Sequence, residues 1–256
     1  MLLLETKKPT KRFGGLTAVN SLELQINQGE IVGLIGPNGA GKTTVFNLIT
    51  GFFPPSNGTI LLNGERVEGL RPHNIAQKGC TRTFQPTKLF SGYSVIRNVL
   101  MAQHLYSRIH FWDPFVASPS LRDKENMLLK EVESILDLVG ISEQRNEQAQ
   151  DLPHGHQQAL GIAIALATHP KLLLLDEPAT GMNPEESFVM MERIRKIANT
   201  GITIGIIEHD MKVIMNLCSR IIAINYGKKI AEGTPKQIRE NPEVIQAYLG
   251  KNDVSA

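Results

Sequence analysis

Two kinds of apolar spacing take turns along the chain, and their order predicts its architecture. Residues 22–27, Leu-Glu-Leu-Gln-Ile-Asn, alternate apolar and polar, the pattern of a half-buried strand. Thr59–Leu62 and Glu65–Val67 flank Asn63-Gly64, a pair suited to a two-residue hairpin turn. An antiparallel sheet is therefore expected in the first quarter of the chain. Ile31–Ile35 is instead a short apolar run, followed by a helix over Val45–Thr50 that Gly51 closes. Pro72–Lys78 reads as a short helix before Gly79, and Cys80–Phe84 as a strand ending at Gln85. Val95–Leu105 and Leu121–Val139 carry helical periodicity, and a third helix follows Gly155, so residues 92–168 form a helical lobe. From Lys171 onward strand and helix alternate: Leu172–Leu175, a helix over 184–199, Ile202–Ile207, a short helix, then Arg220–Asn225. That order calls for a parallel sheet with helices on its faces. Pro235–Glu240 and Pro242–Leu249 are two short helices behind Thr234 and Asn241 caps. One domain is expected, with 1–91 and 169–232 as core and 233–256 as a helical tail.

Composition then excludes several classes. No apolar run approaches the roughly 18 residues of a membrane span. Met1-Leu-Leu-Leu is followed by Glu5, Lys7 and Lys8, the wrong order for a signal peptide, so a cytosolic protein is expected. Cys80 and Cys218 have no metal-ligand spacing and read as free thiols. A net charge of +2 gives no basic stripe, and nucleic acid is not an expected partner. Tyr106–Pro119, with Phe111, Trp112 and Phe115, reads as a loop packed on its own aromatics or as a docking loop.

The chemistry starts at Gly36-Pro37-Asn38-Gly39-Ala40-Gly41-Lys42-Thr43-Thr44, which fits the phosphate-loop pattern in full. It lies between a strand and a helix, where Gly39 and Gly41 let backbone N–H groups turn toward phosphate oxygens at a helix N-terminus. Lys42 is expected to reach the β- and γ-phosphates, and the Thr43 hydroxyl to ligate Mg²⁺. Asp176 and Glu177 end the apolar run 172–175. Adjacent strand residues point to opposite sides, which suits Asp176 to holding Mg²⁺ and Glu177 to activating water. His209, at the end of the next strand, is expected on the same sheet edge as a γ-phosphate contact. Gln85, polar at a strand end, is positioned to touch ligand. Asn183-Pro184-Glu185-Glu186 opens a helix with a side-chain cap, and Leu152-Pro153-His154-Gly155-His156-Gln157 opens a long apolar one.

Together these residues resemble the ATP-binding subunits of ABC transporters over the whole chain. Closer still, the chain is similar to the ATPase of branched-chain amino acid (LIV-type) importers. The phrases that carry this are Thr83-Phe-Gln-Pro-Thr-Lys-Leu-Phe90, Val99-Leu-Met-Ala-Gln-His104, Ile207-Glu-His-Asp-Met-Lys212 and Ile245-Gln-Ala-Tyr-Leu-Gly250. The resemblance implies an α/β P-loop NTPase fold: a RecA-like parallel sheet, an antiparallel β subdomain and a helical lobe. It also implies ATP and Mg²⁺ as ligands, Phe13 as the aromatic that stacks on adenine, and Gln85 near Mg²⁺ at the joint with the lobe. His209 becomes the switch histidine, and Asn183 falls in the D-loop, where the family usually has Asp. Residues 152–157 stand where the family has its signature Leu-Ser-Gly-Gly-Gln, which closes over the nucleotide of a facing subunit. Pro153, His154 and His156 depart from that pattern, while Leu152 and Gly155 match it. Helix N-terminus and Gly155 N–H remain, and a protonated His154 or His156 is expected to replace the missing serine donor. Arg97 stands where the LIV-type family usually has Glu, in the region that normally lines the groove for the membrane partner.

The implied assembly is a second ABC ATPase subunit, alike or different, with permease subunits and, indirectly, an external solute-binding protein. The chain would then sit at the inner face of the cell membrane and power amino-acid import. The alternatives are a lipid or drug exporter with the same catalytic residues, or a soluble ABC ATPase. The latter usually needs a long coiled coil or two cassettes in one chain. A GTPase would call for an Asn-Lys-x-Asp segment, which the chain lacks.

Overall fold

The computed structural model describes residues 1–83, 89–106 and 119–249, without the side chains of 104–106, 119–125 and 249. The chain begins with β1 (Leu2–Phe13), β2 (Leu16–Val19), β3 (Leu24–Asn27) and β4 (Ile31–Ile35), then α1 (Lys42–Ile49), β5 (Asn57–Leu62), β6 (Glu65–Arg66), α2 (Pro72–Gln77) and β7 (Cys80–Arg82). The lobe follows as α3 (Val95–Tyr106), α4 (Pro119–Val139) and α5 (His154–Leu166). The second half is β8 (Leu172–Asp176), α6 (Pro184–Asn199), β9 (Thr203–Ile207), α7 (Met211–Leu217), β10 (Arg220–Asn225), β11 (Lys228–Gly233), α8 (Pro235–Arg239) and α9 (Pro242–Leu249).

Among the described residues, six strands make the main sheet in the order β11-β10-β4-β9-β8-β7, with every pairing parallel except that of β10 with β11. β4 lies inside it because both faces of its apolar run must be covered. The strand pleat divides the side chains between two cores. Leu173 and Leu175 join Ile204, Ile206 and Ala223 against the lobe, where Val99, Leu136, Leu160 and Ala163 are buried. Leu172 and Leu174 face the other way, toward Val45, Phe46 and Ile49 of α1 and Leu4, Ile26 and Ile60 of the antiparallel sheet. All four leucines have 0% exposure. Burying each contributes about 1.5–3 kcal/mol relative to leaving it in water.

The hairpin turn takes the left-handed backbone its sequence demands, with φ +51° at Asn63 and +80° at Gly64. The expected elements are present, with α1 starting three residues earlier than the apolar run suggests. Three strands, β1, β2 and β11, were not foreseen. β1 pairs with β2, β3 and β5, and β11 closes the sheet edge against β10. The stretch with Phe111, Trp112 and Phe115 lies outside the described residues. Among those described, no helix is long and apolar enough to cross a membrane. Both cysteines are buried free thiols, and burial pushes each up to about 12.

Candidate functional site

The C-terminal ends of β4, β7, β8 and β9 lie side by side, because parallel neighbours in register end at one edge. Asp176 is level with Ile207, and Leu34 with Ile207 as well. After β4 the chain turns sharply at Gly36, where a Cβ would sit 2.2 Å from the Ile224 carbonyl oxygen. At Gly41 the backbone is left-handed (φ +101°), and a Cβ would sit 2.4 Å from the Ala18 carbonyl oxygen. Any larger residue would push the loop off the sheet. Gly41 is also the N-cap of α1 and brings no side chain to it, so the first N–H groups of the helix are turned to the loop's own concavity. Lys42 is buried there, its ammonium donating to the carbonyls of Gly36 (2.6 Å) and Pro37 (3.1 Å). A cavity of about 380 Å³ opens above the loop, lined by residues 38–44, Glu177 and His209, with Leu16–Ala18 and Tyr226 on its rim.

Asp176 is 6% exposed and ion-paired with the Arg82 guanidinium. Arg82 is in turn held by Asn47 Oδ1 at 2.7 Å and lies over the Phe46 ring, 5.6 Å from its centroid. Asp176 Oδ2 is thus occupied, while the buried Oδ1 has no hydrogen-bond partner among the described residues. A buried carboxylate oxygen without a donor is costly and suits a cation. Arg82 was not foreseen as part of this group. Its signal in the sequence is a cation at the end of a buried strand, but only strand pairing places it opposite Asp176.

Glu177 corrects the expectation drawn from the pleat. β8 ends at Asp176, and Glu177 takes a left-handed backbone (φ +52°), its N–H donating to the Ile207 carbonyl at 2.8 Å. The two acids part because of that turn, which aims the Glu177 carboxylate at the cavity. Oε1 pairs with His209 Nε2, and Oε2 accepts from the Thr180 hydroxyl at 3.3 Å. Behind them Glu208 is buried, accepting the N–H of Ala179 at 2.6 Å and of His209 at 3.1 Å. Burial pushes its carboxyl above the usual range, against the pull of those two N–H groups.

The other residues named from the sequence lie outside this cavity lining or outside the described residues. Phe13 lies outside the cavity lining, 42% exposed, edge-on to Phe53 at 5.3 Å with Lys11 above its ring. Gln85 lies outside the described residues. Tyr226, unforeseen, borders the cavity from the turn between β10 and β11. Asn183 caps α6 in a reciprocal box with Glu186, each side chain accepting the other's N–H at 2.9 and 3.0 Å. Leu152 is buried, and Gln157 donates to its carbonyl at 2.9 Å. α5 starts at His154 with Pro153 as its N-cap. The expected protonated donors are corrected here. His154 Nε2 is engaged by the Thr180 carbonyl at 3.0 Å within the same chain. His156 is half-buried, and burial, followed by the charge of Arg193, lowers its pKa.

A depressed imidazole gives a testable pH dependence. The unfolded chain protonates His156 near pH 6.5, above its folded value, so stability present above that pH is lost as pH falls through the folded pKa. His156→Gln should narrow the gap between urea midpoints measured at pH 7.5 and 5.5. An unchanged gap would count against this reading.

Known proteins resemble the chain over nearly its whole length. A family model described as ABC transporter matches residues 19–180, and one described as branched-chain amino acid ATP-binding cassette transporter matches residues 228–254. The chain is 44% identical over 250 residues to the high-affinity branched-chain amino acid transport ATP-binding protein BraF of Pseudomonas aeruginosa, covering 97% of this chain and 98% of that one. It is 46% identical over 250 residues, with the same coverage, to the corresponding protein LivG of Escherichia coli. Among solved structures, the ADP conformation of an ATP-binding cassette of an ABC transporter superposes with a TM-score of 0.83 at 26% identity, covering 98% of this chain and 99% of that one.

Proposed function

Because the chain belongs to the ABC transporter ATP-binding family, we propose that it powers import of branched-chain amino acids through separate membrane subunits. It is an ATPase of that family. The observation that carries the chemistry is the meeting of the phosphate loop and the Glu177–His209 pair around one cavity, with the unpartnered Asp176 oxygen buried at the end of β8, one residue before Glu177. What supports the solute is similarity along nearly the whole chain to two branched-chain transport ATP-binding proteins, together with the family match at 228–254.

The loop N–H groups and Lys42 bind the phosphates of ATP. The Thr43 hydroxyl and Asp176 Oδ1 suit Mg²⁺, with Gln85 as a further proposed ligand; when bound, the ion neutralises charge on the phosphate oxygens. Glu177 accepts a proton from the attacking water, and His209 holds its carboxylate toward the cavity and contacts the γ-phosphate. Phe13 is proposed to stack on adenine from the end of β1. Arg82 holds Asp176 in place by pairing with its other oxygen.

Residues 152–157 close over the nucleotide of a facing ATPase subunit. With Pro153 in place of serine, and His154 engaged within its own chain, that face offers fewer donors. The chain therefore works best beside a second ATPase whose signature is complete. Hydrolysis by the chain alone should be severalfold slower than by the co-expressed pair, and equal rates would rule out the unequal pair. Arg97, exposed on α3, faces the permease subunits at the inner face of the membrane, and the solute itself is met by an external binding protein.

Gentle purification of the tagged chain from membranes, with companions identified by mass spectrometry, tests the assembly. Two permease subunits and a second ATPase are expected. A lipid-export permease, or ribosomal proteins, would overturn the importer.

A further inference from the structure

We propose that His154 is a positioning residue, tying the N-terminus of α5 to the segment that carries Glu177 so that lobe and carboxylate move together. This rests on the reading of Glu177 given above. The contact is chemically one-way. A carbonyl only accepts, so the 3.0 Å approach of His154 Nε2 to the Thr180 oxygen requires the proton on Nε2 and fixes the ring's orientation. Thr180 then passes the constraint on through both of its own donors. Its N–H donates to the Glu177 carbonyl at 3.2 Å, and its hydroxyl to Glu177 Oε2 at 3.3 Å. The path from the lobe to the site is thus His154, Thr180, Glu177 and His209, with a named contact at every step.

The surrounding geometry favours this tie over a chance encounter. Gly181 has a left-handed backbone (φ +78°), and a Cβ there would sit 3.5 Å from His154 Nε2, so the imidazole lies directly against the bare backbone. Two residues earlier, Ala179 is held by buried Glu208, which accepts its N–H. Two residues later the segment is fixed by the Asn183 cap. Between these two anchors, the Thr180 carbonyl is where α5 takes hold. The signature pattern of the family has glycine at position 154, which has no side chain to make this contact, so the coupling belongs to what distinguishes this chain. It also accounts for a histidine in a segment otherwise built to face a nucleotide.

Three variants separate the tie from mere packing. His154→Phe keeps a flat ring and loses the donor, His154→Gln keeps an N–H at similar reach and loses the ring, and His154→Gly removes both. Hydrogen exchange on the nucleotide-free chain reads the tie without any need for turnover. The Thr180 and Met182 amides, which donate to the Glu177 and Ala179 carbonyls at 3.2 Å, should exchange about 3- to 10-fold faster in the Phe and Gly variants, the loss expected for one hydrogen bond. The Gln variant should stay close to wild type. In the same order, kcat for ATP should fall with Phe and recover with Gln, while KM stays constant because the phosphate loop is untouched. Unchanged exchange in the Phe variant, or a Gln variant impaired where Phe is not, would overturn the proposal. So would faster exchange with an unaltered kcat.

Because position 154 also faces a partner's nucleotide, one further arrangement is needed. In a mixed dimer in which one subunit carries Glu177→Gln, His154→Phe should slow hydrolysis only when placed on the subunit with intact Glu177. Slowing from the other subunit would mean that His154 acts across the interface, which contradicts the tie. A wild-type chain without ATPase activity would refute the functional reading, while the exchange measurement would still decide on the contact.

Discussion

Replacing Glu177 by Gln is expected to lower ATP hydrolysis by about 10²- to 10⁴-fold while leaving nucleotide affinity unchanged. The amide preserves the shape of the side chain and can still meet His209 and Thr180, but it cannot take a proton from water. Because the phosphate loop and Lys42 are untouched, the loss appears in kcat and not in binding. Single-turnover hydrolysis alongside equilibrium titration with a fluorescent ATP analogue separates the two. A variant that hydrolyses at the wild-type rate removes Glu177 from this role, and one that no longer binds ATP shows that the carboxylate serves the loop's structure instead.

The second large effect concerns stability. Arg82→Met should destabilise the fold by about 3–5 kcal/mol, because it leaves the Asp176 carboxylate buried without its ion-pair partner. Methionine fills the space beside Phe46, so a cavity is not the cause of the loss. The double variant Arg82→Met with Asp176→Asn should regain most of that stability, since the buried charge is gone. Urea unfolding of the single and double variants measures both. A single variant within about 1 kcal/mol of wild type would mean that the pair is hydrated or exchanged for other contacts.

What the sequence made legible follows from physics that acts locally. Four consecutive leucines can be satisfied only with both strand faces covered, and β8 is buried as that requires. Asn183-Pro184-Glu185-Glu186 contains its whole cap within four residues, and the observed box follows from them alone. The phosphate loop was equally readable, since Gly36 and Gly41 answer to backbone crowding that any residue with a Cβ would worsen.

The parts that were missed depend on distant neighbours. β1 was hidden because its inward positions include Thr6, whose hydroxyl donates to the Leu22 carbonyl and accepts the Leu24 N–H, stitching two strands with a polar side chain. A left-handed Lys8 (φ +50°) also interrupts its alternation. β11 is an edge strand rich in charge, as exposed edges tend to be, and carries little apolar signal. The same limit applies to the site. Asp176 and Glu177 announce themselves as a pair of acids, yet the turn that separates them and the arginine that holds one of them exist only once β7, β8 and β9 are in register.

Leucine uptake into proteoliposomes tests the importer most directly, using the chain co-purified with its membrane partners, ATP enclosed inside and binding protein outside. ATP-dependent accumulation of labelled leucine, lost when the chain carries Glu177→Gln, is the predicted result. Hydrolysis that proceeds without any accumulation of leucine, isoleucine or valine would contradict it.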